Sequence, residues 1–200
     1  MAAARIAADI ERSIANRIRD GLRRLRREIS AGNDSELVLW LLPGRLACSQ
    51  RPLRDDKRFG GRGRQLPIEA APAVKGWVER IADEYRISSI ICLMHPKELG
   101  YYDDLGLDPN GLLGLYRSRG ILVRHLPWAD PAHANSAERS RLLREVERIK
   151  LDALKAFEEL PKPVLLHCSA GIDRSAPVAA HILNSVNPSG HSRARWPVAH

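Results

Sequence analysis

Short runs of apolar residues alternate with longer amphipathic segments along most of the chain. The short runs predict β-strands, and segments whose apolar residues recur every three or four positions predict helices. The predicted strands are ELVLWLL, ISSIICLM, ILVRHL and PVLLH, and the predicted helices are APAVKGWVERIADEY, NGLLGLYRSRG, SAERSRLLREVERIKLDALKAFEEL and RSAPVAAHIL. Because strands that are apolar on both faces must be covered by helices on both faces, the alternation predicts an α/β fold with a largely parallel central sheet flanked by helices.

A separate amphipathic segment stands at the start of the sequence. Its apolar residues follow one another at spacings of three or four: Ile6, Ile10, Ile14, Ile18, Leu22, Leu25 and Ile29. This stripe predicts a helix that packs on its own domain or on a second copy of the chain. The alternatives are a membrane surface, a partner protein and a targeting sequence, although targeting sequences are poor in acidic residues and this segment contains four. We expect an N-terminal helical extension at residues 1–32, one domain at residues 36–186, and a short, flexible tail at residues 187–200.

The stretch RPLRDDKRFGGRGRQ, residues 51–65, is rich in charge and glycine. This composition predicts a mobile loop whose charges face solvent, and contact with an anionic substrate is the alternative. Neither interpretation gives the segment a part in the core.

The net charge of the chain indicates which classes of molecule it can bind. The chain carries 32 Lys and Arg against 24 Asp and Glu, a net charge of +8, which favours an anionic partner such as phosphate, a phosphoinositide or a nucleic acid. Aromatic residues make up only 5% of the chain and are not interleaved with the basic runs. Single-stranded nucleic-acid binders usually combine a basic groove with aromatic stacking surfaces, so the sequence does not favour a nucleic-acid partner.

The cysteine pattern bears on compartment and metal binding. Cys48, Cys92 and Cys168 stand far apart with no CxxC pair, which argues against a disulfide framework and against a structural zinc site. Free thiols are typical of the reducing cytoplasm. No apolar stretch approaches the roughly 20 residues that span a bilayer, and the start lacks the apolar core of a secretory signal. We expect a soluble, cytoplasmic protein without a transmembrane segment.

The segment HCSAGIDRS joins the last predicted strand to the last predicted helix. In parallel α/β folds ligands bind at the carboxyl ends of the strands, which is where Cys168 falls. The backbone N–H groups of the next residues can form an anion-binding nest at the start of the helix: Ser169, Ala170, Gly171, Ile172 and Asp173. Arg174 can grip two phosphate oxygens at once, and these donors favour a Cys168 thiolate. The alternative is a buried structural cysteine.

These residues resemble the HCx5R(S/T) signature loop of cysteine-dependent protein tyrosine and dual-specificity phosphatases. The segment HLPWADPAH resembles the general-acid loop of the family and places Asp130 before the signature loop. The segment LPGRLACSQRP resembles the opening of many such domains, so the resemblance covers roughly residues 38–186. It implies a fold like that of the dual-specificity phosphatases and catalysis without a metal or other cofactor.

The resemblance also implies a role for each residue. Cys168 is the nucleophile, and Arg174 binds phosphate together with the loop N–H groups. Asp130 is the general acid, Ser175 hydrogen-bonds the departing thiolate, and His167 fixes the loop, with a purely structural histidine as the alternative. Asp173 departs from the family, because classical tyrosine phosphatases prefer Gly there, and its effect on substrate choice is open.

The implied substrate is a phosphorylated protein, carrying phosphotyrosine and, if the cleft is shallow, phosphoserine or phosphothreonine. Phosphoinositides, glycans and RNA 5′ phosphates are alternative substrates of the same loop, and a phosphate-binding adaptor without activity is a further alternative. Cys92 lies near the carboxyl end of a predicted strand, so we expect it either to pack in the core or to lie close enough to trap an oxidised Cys168 as a disulfide.

Overall fold

The computed structural model describes residues 2–59, 65–107, 110–131 and 134–186. The tail predicted at residues 187–200 lies outside this part of the chain. The strands are β1 (Leu39–Leu42), β2 (Leu46–Ser49), β3 (Ser89–Cys92), β4 (Leu122–His125) and β5 (Val164–His167). The helices are α1 (Ala2–Ser30), α2 (Ala71–Asp83), α3 (Pro96–Leu99), α4 (Gly111–Ser118), α5 (Ser136–Glu159) and α6 (Ser175–Val186), with short 3-10 helices at Ile68–Ala70 and Gly100–Leu105.

The five strands form one sheet in the order β1-β2-β5-β3-β4. Strands β2, β5, β3 and β4 run parallel, and β1 pairs antiparallel with β2 at the edge. The predicted α/β class with a largely parallel sheet is therefore confirmed. The last strand in the chain, β5, is the central one, so its carboxyl end at His167 has a parallel neighbour on each side.

Strand β2 was not among the predicted strands. It has four residues, LACS, and follows β1 through a tight turn in which Gly44 has a φ of +64° and the Arg45 N–H donates to the Leu42 carbonyl at 2.9 Å. Four residues are too few to show a clear period. The strand forms because its two edges pair with β1 and β5.

Helices cover both faces of the sheet. Leu166 and Cys168 belong to a core shared with α1, α5 and α6, whereas Leu165 belongs to a second core shared with α2 and α4. Successive residues of a strand point to opposite faces, so the two cores lie on the two sides of the sheet. The sequences of β3 and β5 do not alternate between apolar and polar residues because both faces of these strands are buried.

Helix α1 packs along α6. Ile14, Ile18 and Leu22 are buried in the first core, whereas Ile6 and Ile10 are exposed. Glu11 of α1 also forms an ion pair with Lys150 of α5 at 2.6 Å, and its carboxylate lies 3.1 Å from the Nδ1 atom of His181 in α6. The middle of α1 is thus part of the same packed unit as the sheet. No helix in the described ranges is long and apolar enough to cross a membrane.

The prediction of a solvated loop at residues 51–65 is wrong for residues 51–55, which are buried or half-buried, whereas Lys57 and Arg58 are exposed as predicted. Arg51 is fully buried, Leu53 is 8% exposed and Asp55 is 3% exposed. Asp55 pairs with Arg26 of α1, at 2.5 Å from Nε to Oδ2, and with Arg54. Burial acts to raise the pKa of Asp55, but the two arginines outweigh it and lower this pKa. Asp55 is therefore neutralised by cations of the protein rather than hydrated by solvent; residues 60–64 lie outside the described chain.

Candidate active site

The loop between β5 and α6 curls around the sulfur of Cys168. Cys168 follows directly on β5 and is 1% exposed. The Gly171 N–H donates to the Cys168 sulfur at 3.2 Å. Gly171 has a φ of +75°, and a Cβ atom there would lie 2.4 Å from the Ser49 carbonyl oxygen. Only glycine allows the loop to turn this tightly against the end of β2.

The other backbone N–H groups of the loop have no hydrogen-bond partner among the described residues. In the described part of the chain, no hydrogen bond is donated by the N–H groups of Ser169, Ala170, Ile172, Asp173 and Arg174. Their side chains differ: that of Ile172 packs into the first core, whereas Asp173 is exposed. A run of unused amide donors at the start of a helix is the pattern that binds an anion.

Arg174 is 1% exposed and is held by three elements. Its Nη1 atom donates to the Leu93 carbonyl at 3.3 Å, to the Trp128 carbonyl at 2.8 Å and to Glu98 at 2.7 Å, and its Nη2 atom donates to Glu98 at 2.5 Å. Burial disfavours the guanidinium charge, but the neighbouring Cys168 and Glu98 outweigh it and raise the pKa of Arg174. Its orientation is therefore fixed before any ligand binds.

Two buried polar atoms of the loop lack a partner among the described residues: the Nε atom of Arg174 and the hydroxyl of Ser175. Unpaired buried donors are rare in folded proteins, because each costs the free energy of its lost hydration. Both atoms belong to residues at the junction of the loop with α6, beside the unused amide groups. Together they form a set of donors suited to a tetrahedral oxyanion.

Glu98 is a site residue that the sequence analysis missed. It lies in α3, where its carboxylate also accepts from the His95 N–H at 2.8 Å and from Ser169. Burial acts to raise the pKa of Glu98, and the hydrogen bonds from Arg174 outweigh it and lower this pKa. The one available signal was a helix-start pattern, Pro at the first position and Glu at the third, which says nothing about a contact with Arg174.

Asp130 approaches the same arginine from the loop after β4. Its Oδ2 atom lies 3.9 Å from the Nη2 atom of Arg174, and its side chain is 17% exposed. The buried Trp128 anchors this loop, since its indole N–H donates to the Leu142 carbonyl of α5 at 3.2 Å. The structure thus brings together Cys168 and Arg174 of one sequence segment and Asp130 of another.

His167 faces the other side of the sheet. It is fully buried, and burial lowers its pKa to about 4, so it is neutral at pH 7. Its Nδ1 atom lies 3.2 Å from the Cys168 carbonyl, which can only accept, so Nδ1 carries the proton. The Nε2 atom then accepts from the Tyr116 hydroxyl at 3.4 Å. His167 holds the backbone of the loop and does not touch the sulfur of Cys168.

Arg51 is a second buried cation beside the loop. Its backbone N–H donates to the Ser169 carbonyl at 2.9 Å, and its Nε atom donates to the Ser169 hydroxyl at 3.2 Å. The guanidinium also donates to the Tyr102 hydroxyl at 3.1 Å and stacks on Tyr101 at 5.0 Å. The composition of residues 51–65 predicted a solvated loop, but Arg51 is buried and supports the Cys168 loop instead.

Of the two alternatives for Cys92, the structure supports packing in the core rather than a position beside the Cys168 sulfur. Cys92 pairs with His167 across the strands, and its side chain lies in the second core, on the face opposite to Cys168. Burial raises the pKa of Cys92 to about 12. Cys92 therefore packs as a core residue, and the sulfur that shares a face with Cys168 is that of Cys48.

No group of three or more His, Cys, Asp or Glu side chains that could hold a metal ion occurs in residues 2–186 where the structure describes them. Comparison with protein-family models and with curated proteins finds no match to this chain. The candidate site is therefore defined by its own geometry: a buried thiol, unused amide donors, a fixed guanidinium and a carboxyl group.

Proposed function

We propose that this protein is a phosphatase that hydrolyses phosphate monoesters through a phosphocysteine intermediate, on a fold like that of the dual-specificity phosphatases. The observation that carries the proposal is the set of uncommitted donors around Cys168. Five amide groups and the buried Nε atom of Arg174 have no partner in the described chain, and all belong to the loop that begins with this cysteine. A bound phosphoryl group would satisfy them.

In the first step the Cys168 thiolate attacks phosphorus. A sulfur–phosphorus bond forms and the ester bond to the leaving oxygen breaks. The loop amides and Arg174 bind the three equatorial oxygens, whose charge increases in the transition state, and they need no reorganisation because Glu98 already fixes the guanidinium. Asp130 donates its proton to the leaving oxygen.

In the second step water attacks the phosphocysteine. The carboxylate of Asp130 takes a proton from the water, a new oxygen–phosphorus bond forms, and the sulfur–phosphorus bond breaks. The Ser175 hydroxyl, buried and without another partner among the described residues, is available to donate to the departing thiolate. Inorganic phosphate leaves, and the thiolate is regenerated.

We further propose phosphorylated proteins as the substrate class and the cytoplasm as the compartment. A thiolate nucleophile requires reducing conditions, and none of the three cysteines forms a disulfide. The net charge of +8 favours an anionic substrate.

Turnover of an aryl phosphate in metal-free buffer tests the proposal. We expect hydrolysis by the parent protein, and acid quenching during turnover should trap phosphate on the peptide that contains Cys168, detected by mass spectrometry. Cys168→Ser should give neither signal, and Cys48→Ser is the matched control because it alters a cysteine on the same face of the sheet. Hydrolysis by Cys168→Ser would overturn the covalent mechanism, and a panel of phosphopeptides and phosphoinositides would then rank the substrate classes.

A further inference from the structure

A groove lies at the β1 edge of the sheet, close to the Cys168 loop. It is a cavity of about 620 Å³ between the C-terminal end of α1, the segment that follows β2, and α2. Residues that line it include Leu37, Gln50, Leu53, Lys57, Trp77 and Arg80. A volume of this size is in the range of ligand-binding clefts.

A second cavity, of about 410 Å³, continues the groove along α1 and shares Ser30, Ala31 and Lys57 with it. The charged side chains of its lining are all cations: Arg23, Arg26, Arg27 and Lys57. No acidic residue belongs to this lining in the described chain. The groove therefore has one strongly basic end.

Two of these cations form no ion pair with an acidic side chain among the described residues. Arg26 pairs with the buried Asp55, and Arg23 lies 3.3 Å from Asp20. Arg27 and Lys57 are exposed, and no ion pair joins either of them to a described residue. These two side chains are available to an anionic partner.

The other end of the groove favours a peptide. The wall there combines apolar residues with the charged Asp34, Asp56, Arg58 and Arg80. Its apolar part is recessed, since Leu53 is 8% exposed and Trp77 is 6% exposed, so neither can insert into a bilayer or stack on a base. The amide oxygen of Gln50 is buried in the wall and has no partner among the described residues. An apolar wall with an unused acceptor suits the side chains and N–H groups of an extended chain.

The groove and the Cys168 loop share one segment. The backbone nitrogen of Gln50 lies 2.9 Å from the position that a Cβ atom on Gly171 would take, and the Arg51 N–H donates to the Ser169 carbonyl. Lys57 is six residues beyond Arg51, so at most about 20 Å separates them. An extended peptide covers that distance in about six residues.

We propose that this groove binds an acidic, apolar-containing segment of a phosphoprotein substrate, within about six residues of the phosphorylated side chain. The identification of the bound protein as a substrate rests on the proposed phosphatase function. The Glu and Asp side chains of the segment pair with Arg27 and Lys57, its apolar side chains lie against Leu53 and Trp77, and a backbone N–H donates to Gln50.

Fluorescence anisotropy tests binding without requiring turnover. The probe is a fluorescein-labelled unphosphorylated peptide rich in Glu and Leu, and its partner peptide has Gln at each Glu. We expect the parent to bind the Glu peptide more tightly, with the difference reduced at about 0.5 M NaCl because the charges are exposed. Each exposed ion pair changes affinity about two- to fivefold, so the double variant Arg27→Glu/Lys57→Glu should bind the Glu peptide about four- to 25-fold more weakly.

Arg144→Glu is the charge control, because Arg144 is an exposed cation of α5 that lines neither cavity. It should bind the Glu peptide as the parent does. In kinetics, kcat/KM for a phosphopeptide flanked by Glu should fall in Arg27→Glu/Lys57→Glu, while kcat/KM for an aryl phosphate should not change.

The outcomes separate the two proposals. Equal binding of the Glu and Gln peptides by the parent, together with normal aryl phosphate turnover, overturns the groove alone. Selective peptide binding without any turnover supports the groove and overturns the phosphatase. Sedimentation with anionic lipid vesicles that depends on Arg27 and Lys57, without peptide binding, would assign the basic surface to a membrane and overturn the peptide proposal.

Discussion

Protonation of His167 should destabilise the fold as the pH falls. Burial lowers the pKa of His167 from 6.5 in an unfolded chain to about 4 in the folded protein. Between these values the unfolded chain binds a proton that the folded protein does not, so the free energy of unfolding decreases as the pH falls through this window. A gap of roughly 2.5 between the two pKa values corresponds to about 3 kcal/mol, because each unit is worth about 1.4 kcal/mol.

Urea unfolding followed by tryptophan fluorescence, at intervals between about pH 7 and pH 4.5, measures this loss. In His167→Asn the amide can still donate to the Cys168 carbonyl but does not titrate. We therefore expect His167→Asn to be less stable than the parent at pH 7 and to lose about 2–3 kcal/mol less across the window. Other titrating groups are common to both proteins and cancel in the comparison.

Tyr116→Phe is the matched control. It removes the hydroxyl that donates to His167 but keeps the imidazole buried, so its stability should fall with pH in parallel with the parent. If the curves of the parent and His167→Asn run parallel between pH 6.5 and pH 4.5, then His167 is not held neutral by burial, and the reasoning is refuted.

The remaining predictions concern the candidate site. Cys168→Ser should abolish turnover yet still bind vanadate by isothermal calorimetry, and loss of vanadate binding would mean that Cys168 shapes the loop. Asp130→Asn should lower kcat on the order of 10²- to 10⁴-fold for alkyl phosphates and far less for an activated aryl phosphate, so equal losses would point to another acid. Glu98→Gln should lower kcat/KM on the order of 10²-fold, because Arg174 loses a charged partner, and urea unfolding should show about 3 kcal/mol less stability. Unchanged kinetics in Glu98→Gln would show that the carbonyls of Leu93 and Trp128 suffice. EDTA should leave the parent activity unchanged, and strong inhibition would indicate a metallophosphatase.

The local sequence was sufficient to predict the Cys168 loop, but it was not sufficient to predict the distant residues that hold the loop in place. Residues 168–175 are contiguous, so their pattern alone predicted a loop between a strand and a helix. Glu98 contacts Arg174 across 76 positions, and Arg51 contacts Ser169 across 118 positions. No local pattern reports contacts of that separation.

Burial of charge and the side to which a strand residue points were the other sources of error. Arg51 and Asp55 look like solvent-facing charges in the sequence, yet hydrogen bonds and ion pairs allow both to be buried. For Cys92 the strand was predicted, but the side of the sheet depends on register: a residue paired with His167 points away from Cys168. Strand β2 was not predicted because its stability comes from its neighbours in the sheet rather than from its four residues.

The central position of β5 constrains how the chain folds during its synthesis. Strands β2 and β3 are not neighbours in the sheet and are joined through β5, which follows both of them in the described sequence. Helix α1 likewise finds its partner α6 about 160 residues later, since Leu22 and Ile182 share one core. At 5–20 residues per second the ribosome takes about 10–30 s to cover that interval, during which the part of α1 that packs on α6 has no native cover. This protein is therefore expected to fold late and slowly, and to depend on chaperones while it is being translated.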